Sequence, residues 1–272
     1  MILTAVSRAS LLAIVALQLF LDAWLGTGFR LDNPLRLLRA FAGVCVAPAI
    51  AAWLLARLCR ATVRVERGAL VLEGLGRRTE IPLDVIDRVA PTAVPVLCGG
   101  LFLRLASGRR FPYDVLVADP VAFIKALVDA GAPDHIRAVT REPAVVYLRS
   151  KRSALRRWDH PLLKFVVFGL VPTLPLFRLH QWIAYGGTFG EYYVYGLKAY
   201  LLAFAIYWGT SVVYLTLYAA VLRALVEPLV WGAAYVAPGR TCSVRRTAET
   251  VNRVLYCGGV PLFLLRLFLL AS

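Results

Sequence analysis

Charge is scarce in this chain. Aspartate, glutamate, lysine and arginine make up 17% of the 272 residues, against roughly 25% in an ordinary soluble domain. Hydrophobic residues make up 60%, and the mean hydropathy is +0.68. A soluble globule of this size cannot hide that much apolar surface, which points to an integral membrane protein. Collagen-like, disordered and disulfide-scaffold classes are excluded together. Histidine is scarcer still. His135, His160 and His180 are the only three, and none has a second His or a Cys close by in sequence. A metal site built from close spacing is therefore absent, and no cofactor is expected. Cys45, Cys59, Cys98, Cys242 and Cys257 form no C-x-x-C pair. Those inside apolar segments read as small hydrophobes.

Catalytic signatures are missing as well. There is no Walker A loop, no G-x-S-x-G elbow, no H-E-x-x-H and no dinucleotide fingerprint. Gly99-Gly100 reads as an ordinary turn. Asp84 and Asp87 read as solvated or capping carboxylates rather than an acid–base pair. Acids are few relative to bases: 31 Lys and Arg against 16 Asp and Glu give a net charge of +15. In a membrane protein that excess collects in cytoplasmic loops. Aromatics interleaved with basic residues at stacking positions are missing, so no nucleic acid is expected as a partner.

Apolar runs organise what is present. Ala9 to Gly26, preceded by Arg8, is long for a signal-peptide core and no A-x-A site follows it, so it is expected to be a retained first transmembrane helix. A second run from Ala40 to about Arg60 is long enough to cross a bilayer of about 30 Å, giving a transmembrane hairpin over residues 1–60. From 61 to 132 the pattern changes to alternation. Thr62 to Glu66, Ala69 to Glu73, Thr79 to Leu83, Leu101 to Leu105 and Phe111 to Val115 read as half-buried antiparallel strands. Asp119 as N-cap and Pro120 as first residue open a helix whose stripe is Val121, Ile124, Leu127 and Val128, stopped at Gly131. Pro91 and Pro95 interrupt the stretch from Ala90 to Gly100.

This order of elements resembles the bacterial pleckstrin-homology-like (bPH) domain. The resemblance is carried by Gly68-Ala69-Leu70-Val71-Leu72, by Ile81-Pro82-Leu83-Asp84-Val85-Ile86, by Leu101 to Arg109 with its Ser107-Gly108-Arg109 turn, and by Asp119 to Ala130, about a quarter of the chain. It implies a small β-barrel or curved sheet capped by a helix, and no enzyme activity. Members of that family are often small bacterial membrane proteins in which the domain follows a two-helix hairpin. The cytoplasmic (inner) membrane is the location this implies.

Residues 133–160 read as a linker, with Arg149, Lys151, Arg152, Arg156 and Arg157 in its second half. The C-terminal membrane region, 161–272, contains three further runs: Pro161 to Ala184, Tyr192 to Leu222, and Val254 to Ala271 with a kink near Gly258 to Pro261. Between the last two, Glu227-Pro228 is expected to break the chain, leaving Leu229 to Val236 as a short interfacial or re-entrant helix. The expected fold is thus a polytopic α-helical membrane protein of about five transmembrane helices with a small inserted β-rich, PH-like domain. The Arg149 to Arg157 cluster places that domain in the cytoplasm, with the Gly186 to Glu191 loop outside.

Two groups of residues stand out. The expected turn tips Arg77-Arg78 and Arg109-Arg110 are candidates to touch anionic headgroups or a partner. Asp22, Arg178 and Arg266 all fall in the outer half of the bilayer in this topology, and Asp22 is a candidate ion-pair partner for either arginine. The expected function is a non-catalytic membrane subunit. It would act as anchor, scaffold or assembly factor, using its PH-like domain on a protein partner or the anionic inner leaflet, and its partners would be membrane lipids and another membrane protein subunit. The alternative is a transporter component or membrane enzyme with its site among the helices, which the poverty in intramembrane acids, His and Ser/Thr/Asn clusters disfavours.

Overall fold

Apolar alternation sets the centre of the structure, a computed structural model that describes residues 34–58, 61–66, 68–74, 77–91, 101–112, 115, 119–133, 135–153 and 160–271. The chain is mostly helical, with a small β region and two helices long and apolar enough to cross a membrane, Leu162–Tyr185 and Gly190–Val236. Its described residues fall into two units. The first holds those between 49 and 155 and between 225 and 249; the second holds those between 34 and 48, 160 and 224, and 250 and 271.

In the first unit, β1 (Ala61–Glu66), β2 (Ala69–Gly74) and β3 (Arg77–Pro82) form an antiparallel meander. Gly68, at φ 75°, makes the turn between β1 and β2 in a backbone region that a Cβ disfavours. The register sets Val65 opposite Leu70, and Leu70 opposite Ile81, so one face is apolar. β4 (Ile86–Pro91) and β5 (Leu101–Leu105) form a second antiparallel ladder, and bridges at Leu101–Val115 and Arg104–Arg110 bring the chain back along the other side of β5. Pro91, expected to interrupt a strand, ends β4 opposite Leu101, where a missing N–H costs little. Residues 92–100, with Pro95 and Gly99-Gly100, lie outside the described residues.

Helix α3 (Pro120–Asp129) starts as its sequence dictates. The Asp119 carboxylate accepts from the amides of Val121 and Ala122, both at 3.1 Å, with Pro120 in the first turn. Its Ile124 and Leu127 are fully buried with Leu70, Ile86, Val89 and Leu103 in one continuous core.

The expected linker is instead structured. Residues His135–Ala138 form a short helix, α4, and Pro143–Ser153 an 11-residue helix, α5. Ile136, Val139 and Val145 join the core of the β unit. The expected basic linker thus carries a buried face, because its apolar residues need only one side of the helix.

The helix expected to break or bend at Glu227-Pro228 is not interrupted there. The segment α7 (Gly190–Val236, 47 residues) departs from helical geometry only at Gly196, and it passes through Pro228 to Val236. A proline inside a helix costs about 3 kcal/mol. Here Val226, Val230 and Ala234, spaced to share one face, are buried with Tyr147 and Ala248, and that burial offsets the lost backbone bond. No separate interfacial helix follows Pro228. The expected last crossing lies within α8 (Thr241–Ala271), one helix with Pro261 inside it. A single turn, Pro238–Arg240, joins α7 to α8.

The second unit is built from helices alone. Helix α1 (Pro34–Phe41) continues through a π-helical turn, Ala42–Val46, into α2 (Ala47–Leu58). A π-helical stretch, Leu162–Val167, leads into α6 (Leu170–Tyr185). Trp208 of α7 donates to the Val166 carbonyl at 2.9 Å, satisfying an acceptor in that irregular stretch. Gly186, at φ 71°, caps α6 in the left-handed conformation.

Candidate functional site

On the first unit, the outward side of the β4–β5 ladder is basic. Because Leu101 and Leu103 face the core, Phe102 and Arg104 face out. The register puts Arg88 opposite Arg104 on one side and Arg110 opposite Arg104 on the other. Three arginines therefore lie side by side across three strand segments, all exposed. Like charges directly opposite one another are destabilising in a sheet. Arg88 has a distant ion pair with Glu142 at 3.8 Å, and Arg110 lies over the Phe102 ring with 4.5 Å from Cζ to the centroid. The row is an anion-attracting surface with an aromatic floor.

The expected tip residues fare differently. Arg77 and Arg78 open β3 directly after the turn, opposite Gly74 and Glu73. Arg78 is engaged by Glu80 at 2.7 Å and Glu73 at 3.6 Å, so carboxylates of its own sheet already answer its charge. The strand starts earlier than Thr79 because that cross-strand pair extends the ladder. Arg109 is exposed, following Gly108 at φ 77°, and Arg110 belongs to the arginine row.

A second charged group is buried. Arg245 of α8 is 0% exposed. Its Nη2 donates to Glu227 Oε2 at 2.6 Å, its Nη1 to Glu249 Oε1 at 3.2 Å, and its Nε to Ser150 Oγ at 3.1 Å. The Tyr147 hydroxyl donates to the same Glu227 oxygen, and the guanidinium lies over the Tyr147 ring at 5.2 Å. Ser150 in turn donates to the Tyr147 carbonyl at 2.7 Å. One guanidinium thus joins α5, the end of α7 and the start of α8. Removing one partner of such a buried pair costs about 3–5 kcal/mol, because the other charge stays buried alone. The arrangement is a structural clamp: its acids are turned onto the arginine.

In the second unit apolar side chains lie outside as well as in the core, and α6 buries two polar ones. Thr173 and Gln181 are buried on α6 while Val171, Leu174, Trp182 and Ile183 are exposed. Gln181 and Glu191 satisfy each other: Nε2 donates to Oε2 at 2.6 Å, and the Glu191 amide donates to Oε1 at 3.1 Å. Phe177 packs edge-on against Tyr200, Phe204 and Tyr207, with centroids 5.1, 5.3 and 5.6 Å away. Of the expected intramembrane pair, Asp22 lies outside the described residues, while Arg178 and Arg266 are both exposed and neither is ion-paired among the described residues. Those residues also hold no cluster of three or more His, Cys, Asp or Glu side chains suited to a metal.

Arg88 and Arg104 were missed as site residues. Alternation alone turns Arg104 outward, but its neighbours depend on a register that no local pattern announces. The Arg245–Glu249 spacing of four is legible on a helix; its convergence with Glu227 and Tyr147 is not. No family model matches the chain, and neither a curated protein nor a solved structure resembles it at a significant level.

Proposed function

We propose that the chain is a non-catalytic integral subunit of a bacterial cytoplasmic membrane, an anchor or scaffold. Its PH-like module rests an arginine-rich face on the anionic inner leaflet. The observation that carries this reading is the row Arg88–Arg104–Arg110. A basic side chain near an anionic surface contributes about 1 kcal/mol, so the row contributes about 3 kcal/mol. The module begins at Ala61, close in sequence to the end of α2 at Leu58, and a short tether gives it a high effective concentration at the headgroups.

The apolar exterior of α6 and α7 supports lipid as the solvent of the second unit. The topology is five crossings with the module and the Arg149 to Arg157 cluster on the cytoplasmic side. The α7 segment is about 70 Å long at 1.5 Å per residue, against about 30 Å of hydrocarbon. Its end, with Arg223 and Glu227, therefore leaves the hydrocarbon on the module's side. The clamp at Arg245 then fixes the module to the helix ends. The exposed Leu225 and Leu229 suit the headgroup boundary.

The test uses the full chain in nanodiscs, with hydrogen exchange of the Leu101–Leu105 and Arg109 to Phe111 backbone as the readout. Protection is expected to rise in phosphatidylglycerol discs over phosphatidylcholine discs, to fall with added salt, and to vanish in the triple variant R88Q/R104Q/R110Q. Equal protection in both lipids overturns the leaflet contact, and salt-independent protection points to a protein surface instead.

A further inference from the structure

The α6–α7 hairpin carries an open cleft of about 610 Å³ with a mostly apolar lining. Arg178 of α6 and Thr188 of the connecting loop line it together with Tyr200 and the apolar Leu174, Leu201 and Phe204. Arg178 is exposed. Glu191 is the sole acid in the sequence from 160 to 226, and Gln181 already holds it. The guanidinium is therefore a cation in an apolar stretch with no described carboxylate to answer it, in a cleft that Thr188 also lines.

We propose that this cleft binds one anionic phospholipid, with its phosphate on Arg178 and Thr188 and an acyl chain along Leu174, Leu201 and Phe204. The planar fork of guanidinium donors matches a phosphate bidentately. The apolar depth takes a chain that free phosphate lacks. A zwitterionic headgroup adds a second cation beside Arg178, so a net negative lipid is preferred. The inference rests on the membrane reading of α6 and α7 and is independent of the arginine row on the module.

The experiment is native mass spectrometry of the full chain in neutral detergent, titrated with phosphatidylglycerol or phosphatidylcholine. One phosphatidylglycerol should be retained with a preference of about tenfold, equivalent to about 1.4 kcal/mol. R178Q should bring the preference close to one, L174W should lower retention of the same lipid by filling the channel, and R88Q/R104Q/R110Q should leave both unchanged. An unchanged preference in R178Q, or displacement of the lipid by inorganic phosphate alone, overturns the site. A chain that stays monodisperse without any detergent overturns the membrane reading first, and the site with it.

Discussion

The β unit and the α6–α7 hairpin expose opposite kinds of residue. In the first, Leu70, Leu103, Ile124 and Leu127 are fully buried while Arg88, Arg104 and Arg109 are outside. In the second, Thr173 and Gln181 are fully buried while Leu174, Trp182, Ile183 and Leu202 are outside. Both buried polar side chains of α6 have partners: Thr173 donates to the Gly169 carbonyl and Gln181 to Glu191. On the membrane reading proposed above, the difference lies in the solvent each surface meets. An apolar exterior with a satisfied polar interior is stable in hydrocarbon and exposed to aggregation in water.

Four substitutions break or sharpen that contrast. Leu103→Asp should have the largest effect. It places a charge in a core with no partner, costing more than about 4 kcal/mol, and should show as loss of β signal in the circular-dichroism spectrum of the detergent-solubilised chain. Arg245→Met should follow at about 3–5 kcal/mol, because Glu227 and Glu249 stay buried without their cation; a thermal midpoint equal to that of the wild type refutes the clamp. Gln181→Leu adds apolar volume yet should still destabilise the helical unit by about 1–3 kcal/mol, since Glu191 loses its donor. Arg78→Gln should cost least, at most about 1 kcal/mol, because its ion pairs with Glu80 and Glu73 are exposed.

What was legible in the sequence was local. The alternation at Ala69 to Glu73 and at Leu101 to Leu105, the Asp119-Pro120 helix start and the Gly131 stop each depend on neighbours within a few residues, and each is found where expected. Long-range convergence was not legible. The helix α5 was hidden under Arg149, Lys151 and Arg152, since its buried Tyr147 and Ser150 acquire meaning only beside Arg245, far along the chain. Pro228 was read as a break because local propensity counts the lost backbone bond and not the burial of Val226 and Val230 that offsets it. Arg78 acquires Glu73 as a neighbour only once the ladder is in register, which the local pattern does not announce.

The contrast in solvents is tested most directly by spin labels at Leu202, which is 60% exposed on α7, and at Arg104 on β5, compared in reconstituted membranes. The Leu202 label should be relaxed by dissolved oxygen and shielded from a water-soluble nickel chelate, and the Arg104 label should show the reverse. Ready access of the chelate to Leu202 would contradict the account, because it would put that apolar face in water.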